Sequence, residues 1–259
     1  MDNDTSPYSE LPSPRVVAFL DILGSKSLLS SIFKEQDLSR YATLRKALSL
    51  VSGHAASASF GLILPATARG TGFSDCLAIS DEPTEIGSTN VAWRVALLSA
   101  WLLEDGILCR GGIAIGRTLH TETCIVGEGL VSAYELESSV AVYPRIVLSE
   151  EVAAFAAAWP PLARSRRDVD GLAFLDPFYM LKTAPNPADF PSSLQQPAQW
   201  DLPRFQRIAE HLNRLVAESR QAGPSRIGVL AKQQWLLSKL SVAAQEYLGS
   251  SLEELLAGR

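Results

Sequence analysis

The chain has 259 residues, 28 acidic against 23 basic side chains, a net charge of −5 and 47% hydrophobic residues. That is apolar material for a real core and excludes a mostly disordered chain. The acidic balance, with no long Lys/Arg run, excludes a general nucleic-acid binder. Three scattered cysteines, Cys76, Cys109 and Cys124, form neither a disulfide framework nor a zinc set and read as reduced core packing. No stretch reaches the roughly 18 apolar residues of a membrane-spanning helix, so a soluble cytoplasmic protein with no membrane contact is expected.

Residues 1–14, with Pro7, Pro12 and Pro14, read as a loose leader. Val16 to Ile22 is a continuous apolar run that carries Asp21, which reads as a buried strand turning at Gly24-Ser25. Leu28 to Phe33 and Leu38 to Val51 show helical spacing. Ser57 to Leu64 and Phe73 to Ile79 read as strands, with Pro65 to Gly72 as their hairpin connection. Asn90 to Leu103 predicts a helix, with Asn90 as N-cap and Gly106 past its end. Ile107 to Ile115 reads as another buried strand, interrupted by Gly111 and Gly112. Gly127 opens a helix to about Glu137, Arg145 to Leu148 is a short strand, and Glu150 to Trp159 is a short helix stopped by Pro160-Pro161. Gly171 to Tyr179 adds a further strand. This order predicts an α+β fold, with strands in one layer and helices covering it, over residues 15–180. Residues 181–259 change texture: a proline-rich loop from Lys182 to Pro203, then two long helices at about 203–221 and 225–248, broken at Gly223-Pro224.

Asp21 sits at the end of one apolar strand and Asp75 at the start of another. An ionised carboxylate among apolar neighbours is costly unless it is paired or binds a metal. Two such carboxylates side by side repel, and a divalent cation relieves the repulsion. The alternative reading is that Asp75 ends a turn and Asp21 caps the next helix. The turn at Ile22 to Ser25 leads into a helix N-terminus, a place that favours anions. Arg110 stands inside an apolar strand and requires a partner, either a phosphate or an acidic side chain such as Glu137. His54, His120 and His211 lack ligand spacing.

Three segments taken together resemble the catalytic core of class III nucleotidyl cyclases: Ala18-Phe-Leu-Asp-Ile-Leu-Gly24, Gly72-Phe-Ser-Asp-Cys-Leu-Ala78 and Arg110-Gly-Gly-Ile-Ala-Ile-Gly116. The resemblance implies a ferredoxin-like βααββαβ core, here followed by a C-terminal helical extension, and a homodimer with active sites in the subunit cleft. It implies two Mg²⁺ or Mn²⁺ ions per site on Asp21, Asp75 and the Ile22 carbonyl. It also implies phosphate binding by the backbone of Leu23, Gly24 and Ser25, with Arg110 neutralising phosphate charge.

Where adenylate cyclases of this family carry an Asn-xxx-Arg motif, this chain has Val131 and Glu135. The family's purine-reading lysine has no match, and Arg145 stands near the other base-reading position. A compact chain with Phe19-Leu-Asp-Ile-Leu-Gly24, Phe73-Ser-Asp75, Arg110-Gly-Gly-Ile113 and Ala133-Tyr-Glu-Leu-Glu137 is more similar to the pyrimidine cyclases of bacterial Pycsar antiphage systems. That likeness implies conversion of UTP to 3′,5′-cyclic UMP and pyrophosphate, a second messenger for a separate effector in antiviral defence. An arginine presents only donors, which would suit the O4 carbonyl of uracil if Arg145 reads the base. A purine cyclase and an inactive nucleotide-binding module are the alternatives.

Overall fold

A computed structural model of the chain describes residues 11–51, 67–73, 75–160, 162–182 and 199–258. Its central strand is β1 (Ser13–Ile22), paired antiparallel with β3 (Cys76–Asp81) on one side and β4 (Cys109–His120) on the other. β2 (Arg69–Phe73) pairs antiparallel with β3 at the sheet edge. The order β2-β3-β1-β4, antiparallel throughout, is the ferredoxin-like arrangement expected from the sequence. β5 (Ile125–Gly127) folds back on the end of β4, and β6 (Ile146–Leu148) runs parallel to β4. β8 (Ala173–Leu175) and β7 (Ser165–Arg167) continue the sheet in that order. Among the described residues the sheet has eight strands.

The two faces of β1 meet different layers, because successive strand side chains point to opposite sides. Val16, Ala18, Leu20 and Ile22 pack into the larger core with Val91, Val95 and Leu98. Those last three belong to α3 (Glu85–Glu104), which is buried along most of its length. α1 (Ser25–Lys34) and α2 (Leu38–Val51) precede it in the chain. Val17 and Phe19 face the other way, against Ala114 and Ala133. Ala133 lies on α4 (Glu128–Glu135), whose last turn widens into a π turn at Leu136–Val140. Gly112 allows that close packing: a Cβ there would meet the Ala133 carbonyl oxygen and the Leu136 Cβ, each at 2.4 Å.

Several sequence expectations need correction. The long helix starts at Glu85, not Asn90. Thr84 is its N-cap, accepting from the Gly87 N–H at 3.1 Å. Asn90 is instead buried within the helix, where its amide donates to Asp81 at 2.6 Å. Asp81 also accepts from the Thr67 hydroxyl at 2.6 Å, which accounts for a carboxylate in the core at the strand end far from Asp21. Beside it, His120 bridges Ser80 and Thr71, and burial with Arg15 and Arg69 nearby pushes its pKa down to about 4. Part of the expected hairpin connection is strand, since β2 begins at Arg69. The expected strand at Ser57 to Leu64 lies outside the described residues. The helix expected at Glu150 to Trp159 is α5 (Glu150–Ala153) followed by a 3₁₀ turn, Ala154–Ala158. β7 was not anticipated from the sequence.

The C-terminal extension comprises α6 (Leu202–Gln221), α7 (Ile227–Leu248) and α8 (Leu252–Leu256). Phe205, Ile208, Leu212, Leu236 and Leu240 pack with Ala100 and Leu103 of α3, so the extension shares a core with that helix. Ionic ties reinforce it: Arg204 pairs with Glu104 at 2.5 Å, and the Tyr247 hydroxyl donates to Asp176 at 2.6 Å. No helix among the described residues is long and apolar enough to cross a membrane.

Overpacking a filled contact costs about 1–3 kcal/mol. Gly112→Ala is therefore expected to lower unfolding stability by an amount in that range, measured by urea denaturation. A neutral result would mean that α4 does not press on β4 as described.

Candidate functional site

Register brings the site together. Across the antiparallel ladder Asp21 stands opposite Cys76 of β3 and opposite Arg110 of β4. Directly opposed residues share a face, so these three form one row on the α4 side of the sheet. Asp75 immediately precedes β3, and its carbonyl accepts from the Ile22 N–H at 3.1 Å, tying the ends of β1 and β3 together. One donor atom from each of Asp21, Asp75 and Cys76 lies within 4.8 Å of the other two. The two carboxylates singled out from the sequence are thus neighbours, with Ile22 beside them.

Arg110 has the acidic partner that was one of its two expected alternatives. Its Nε lies 2.6 Å from Glu137 Oε1 and 3.5 Å from Asp21 Oδ2. Glu137 comes from the π turn and is only 2% exposed. Burial raises the pKa of Asp21, Arg110 opposes that shift, and the neighbouring charge of Asp75 adds to it. Glu137 is likewise raised by burial, with Arg110 opposing and Asp21 adding. Cys76 is not the inert core thiol expected from the sequence: it is half-buried beside the carboxylates, and burial with their charges pushes its pKa up to about 11. Cys109 does pack in the core, whereas Cys124 is exposed.

The predicted phosphate turn is only partly available. The Leu23 N–H donates to the Leu108 carbonyl at 2.8 Å, so it is committed to the strand edge. Gly24 adopts φ +74°, a left-handed conformation that glycine takes without strain, and swings the chain into α1. Ser25 opens that helix, where the first-turn amides lack intrahelical acceptors, and exposed Lys26 follows. Gly24 and Ser25 therefore fit an anion better than Leu23 does.

Arg145, the expected base-reading residue, is engaged within the chain. It is 4% exposed, and its guanidinium donates to Asp168 at 2.8 Å and to Asp170 at 2.5 Å. Asp168 also accepts from the Trp235 indole N–H at 2.9 Å and from Lys239 at 2.5 Å, both on α7. The Tyr143 and Trp235 rings stack with centroids 5.2 Å apart, and the Arg145 guanidinium carbon lies within 5.7 Å of each centroid. Both Nη donors are used inside the chain, while the buried Nε has no hydrogen-bond partner, so Arg145 joins the sheet to the C-terminal helices. Sequence alone did not show this because the partners are remote in the chain. Val131 and Glu135 sit exposed on α4.

The donor set suits a hard cation. Carboxylate oxygens from Asp21 and Asp75 match Mg²⁺ or Mn²⁺, and the Ile22 carbonyl would add a further oxygen. A thiol held protonated beside them is a weak ligand for such an ion. The start of α1 follows β1 directly and favours an anionic ligand at that strand end.

No protein-family model matches the chain, and no curated protein matches it. Among solved structures it is similar to a bacterial light-regulated adenylyl cyclase, at 12% identity and a TM-score of 0.37, over 66% of this chain and 53% of that one. The chain thus spans about half the length of that structure.

Removing one member of a buried ion pair typically costs about 3–5 kcal/mol. Arg145→Ala is expected to lose stability on that scale in a denaturant titration. Its preference among the four ribonucleoside triphosphates, measured by competition on the folded protein, is expected to stay that of the unsubstituted chain.

Proposed function

We propose that this protein is a nucleotidyl cyclase that binds a nucleoside triphosphate at the ends of β1 and β3 with Mg²⁺ or Mn²⁺ held by Asp21 and Asp75. The observation that carries the reading is the pairing of Asp21 and Asp75 at two adjoining strand ends, on the same face as Arg110. Two carboxylates this close repel unless a cation lies between them. The adjoining helix N-terminus and guanidinium favour the phosphates of the same ligand.

In this reading the site carries two metal ions per substrate. Ions held by Asp21 and Asp75 would supply Lewis acidity, activating the ribose 3′-hydroxyl and offsetting charge on the leaving pyrophosphate. The chain itself contributes position and charge. Asp21 and Asp75 hold the ions, Ile22 offers its carbonyl, Gly24 and Ser25 present backbone N–H groups to phosphate, and Arg110 offsets negative charge beside them. Little covalent work remains for the protein, because an intramolecular attack held in line needs mainly orientation.

The substrate in this proposal is UTP and the product cyclic UMP, a messenger for a separate effector in antiphage defence. The support is the likeness of the motifs at 19–24, 73–75, 110–113 and 133–137 to those of the pyrimidine cyclases, and the missing purine-reading lysine. Arg145 no longer contributes to that argument. Assembly as a homodimer is part of the same reading. The α4 side of the sheet has a thin apolar layer, and Val131 and Tyr134 stand 54% and 51% exposed on its outer surface. A second copy placed there would cover them and close the cleft.

Asp21→Asn and Asp75→Asn are each expected to reduce turnover by at least about a hundredfold, through loss of a charged metal ligand. The decisive assay is purified protein with Mn²⁺ and all four triphosphates at equal concentration, with cyclic products separated by chromatography. Cyclic UMP first supports the full proposal, and a purine product keeps the cyclase but overturns the base assignment. Binding without any cyclic product overturns the enzyme. A pH prediction follows from the raised pKa of Asp21. The folded metal-free state holds that proton more tightly than the unfolded chain does. The stabilisation from Asp21 is therefore present below its unfolded pKa and lost as pH rises through the raised folded value. Asp21→Asn should then raise the melting temperature of the metal-free protein at neutral pH while weakening Mn²⁺ binding. A lower melting temperature would contradict the burial argument.

A further inference from the structure

We infer that Glu137 is a positioning residue that keeps Arg110 from neutralising Asp21, and thereby sets the metal affinity of the site. The inference rests on the metal-site reading above and deepens it. Arg110 lies between two carboxylates and is not shared equally: Glu137 Oε1 is in ionic contact with its Nε at 2.6 Å, without the alignment of a hydrogen bond, whereas Asp21 is 3.5 Å away. The burial of the two acids differs in the same sense. The Glu137 side chain is 3% exposed and that of Asp21 is 22% exposed. A carboxylate that deep has little water to solvate it and depends on the guanidinium. Asp21 is open enough to take another cation.

The backbone is built to deliver Glu137. A regular helical turn after α4 would place residues at the 3.6-residue period, but the chain widens into a π turn over Leu136–Val140. Within that turn Glu137 is buried while Ser138 and Ser139 are exposed. Gly112, two residues from Arg110 on β4, lets the turn settle on the strand: a Cβ at Gly112 would come within 3.2 Å of the Glu137 backbone nitrogen. Glu137 therefore approaches Arg110 from the α4 layer, while Asp21 approaches it along the sheet.

The consequence is a division of charge. With Glu137 in place, Arg110 is largely balanced by it, and Asp21 with Asp75 keeps net negative charge for a cation. With Glu137 neutral, Asp21 becomes the only ionised partner of Arg110 in this row, and the guanidinium competes directly with metal.

The test is Mn²⁺ binding by the nucleotide-free protein, followed by calorimetry or by the electron paramagnetic resonance of free Mn²⁺. Glu137→Gln keeps the shape and removes the charge, and it should weaken Mn²⁺ binding by about tenfold or more. Adding Arg110→Gln to that variant removes the competitor as well, and binding should return to within about threefold of the unsubstituted chain. A Glu137→Gln protein that binds Mn²⁺ normally, or a double variant as weak as the single, overturns the inference. Circular dichroism and thermal melts confirm that each variant is folded. Should Glu137→Gln not fold, Arg110→Gln alone decides: the inference requires it to bind Mn²⁺ more tightly, and unchanged or weaker binding overturns it. Failure of the underlying metal reading looks different, because the unsubstituted chain and Asp21→Asn would then bind Mn²⁺ equally weakly.

Discussion

The register of β1 between β3 and β4 is the constraint on which the rest depends. A strand repeats every two residues, so a slip by one would turn Asp21 into the α3 core, where Leu20 and Ile22 now lie, and would expose those apolar side chains. The hydrophobic run Val16 to Leu20 resists that slip. Its α3-facing members fill the larger core, and its other members meet α4. One apolar pattern thereby fixes which face is greasy and which carries the charged row Cys76, Asp21, Arg110.

That row is electrostatically uncomfortable. Asp21, Asp75 and Glu137 supply three carboxylates to the neighbourhood of one guanidinium, and burial raises the pKa of Asp21 despite Arg110. Two buried carboxylates elsewhere are better supplied with donors. Asp168 accepts from Arg145, Trp235 and Lys239, and Asp176 accepts from Arg166 and Tyr247. These buried charges have full sets of donors, and they lie where the C-terminal helices meet the sheet. In the row, by contrast, three carboxylates share one guanidinium, an arrangement that a bound cation would relieve.

Local signals were legible in the sequence and long-range partnerships were not. The apolar run ending in Asp21, the turn at Gly24 and the breaks around Gly127 and Gly223 correspond to elements in the structure, because each depends on neighbours in the chain. Arg110 had a visible need for a partner, and Glu137 was one of two stated alternatives. The partners of Arg145 were not legible because Asp168, Asp170 and its aromatic neighbour Trp235 come from elements that sequence spacing cannot bring together. Asn90 looked like a cap because it is a good capping residue type, but its true acceptor, Asp81, belongs to the preceding strand. Cys76 gave only the signal of a small apolar residue. Its place opposite Asp21 follows from register and from nothing local.

The central position of β1 also bears on how the chain folds. β1 comes early in the sequence, yet its hydrogen-bonding neighbours, β3 and β4, come much later, with helices between them. Closing such long loops costs chain entropy before any strand contact compensates it, so a high contact order and slow formation of the sheet follow. During synthesis the run Val16 to Leu20 leaves the ribosome well before β4 exists to pair with it. Until then it is an unpaired apolar strand, the kind of segment that aggregates or engages chaperones. The charged row is completed only when β4 docks and brings Arg110 opposite Asp21.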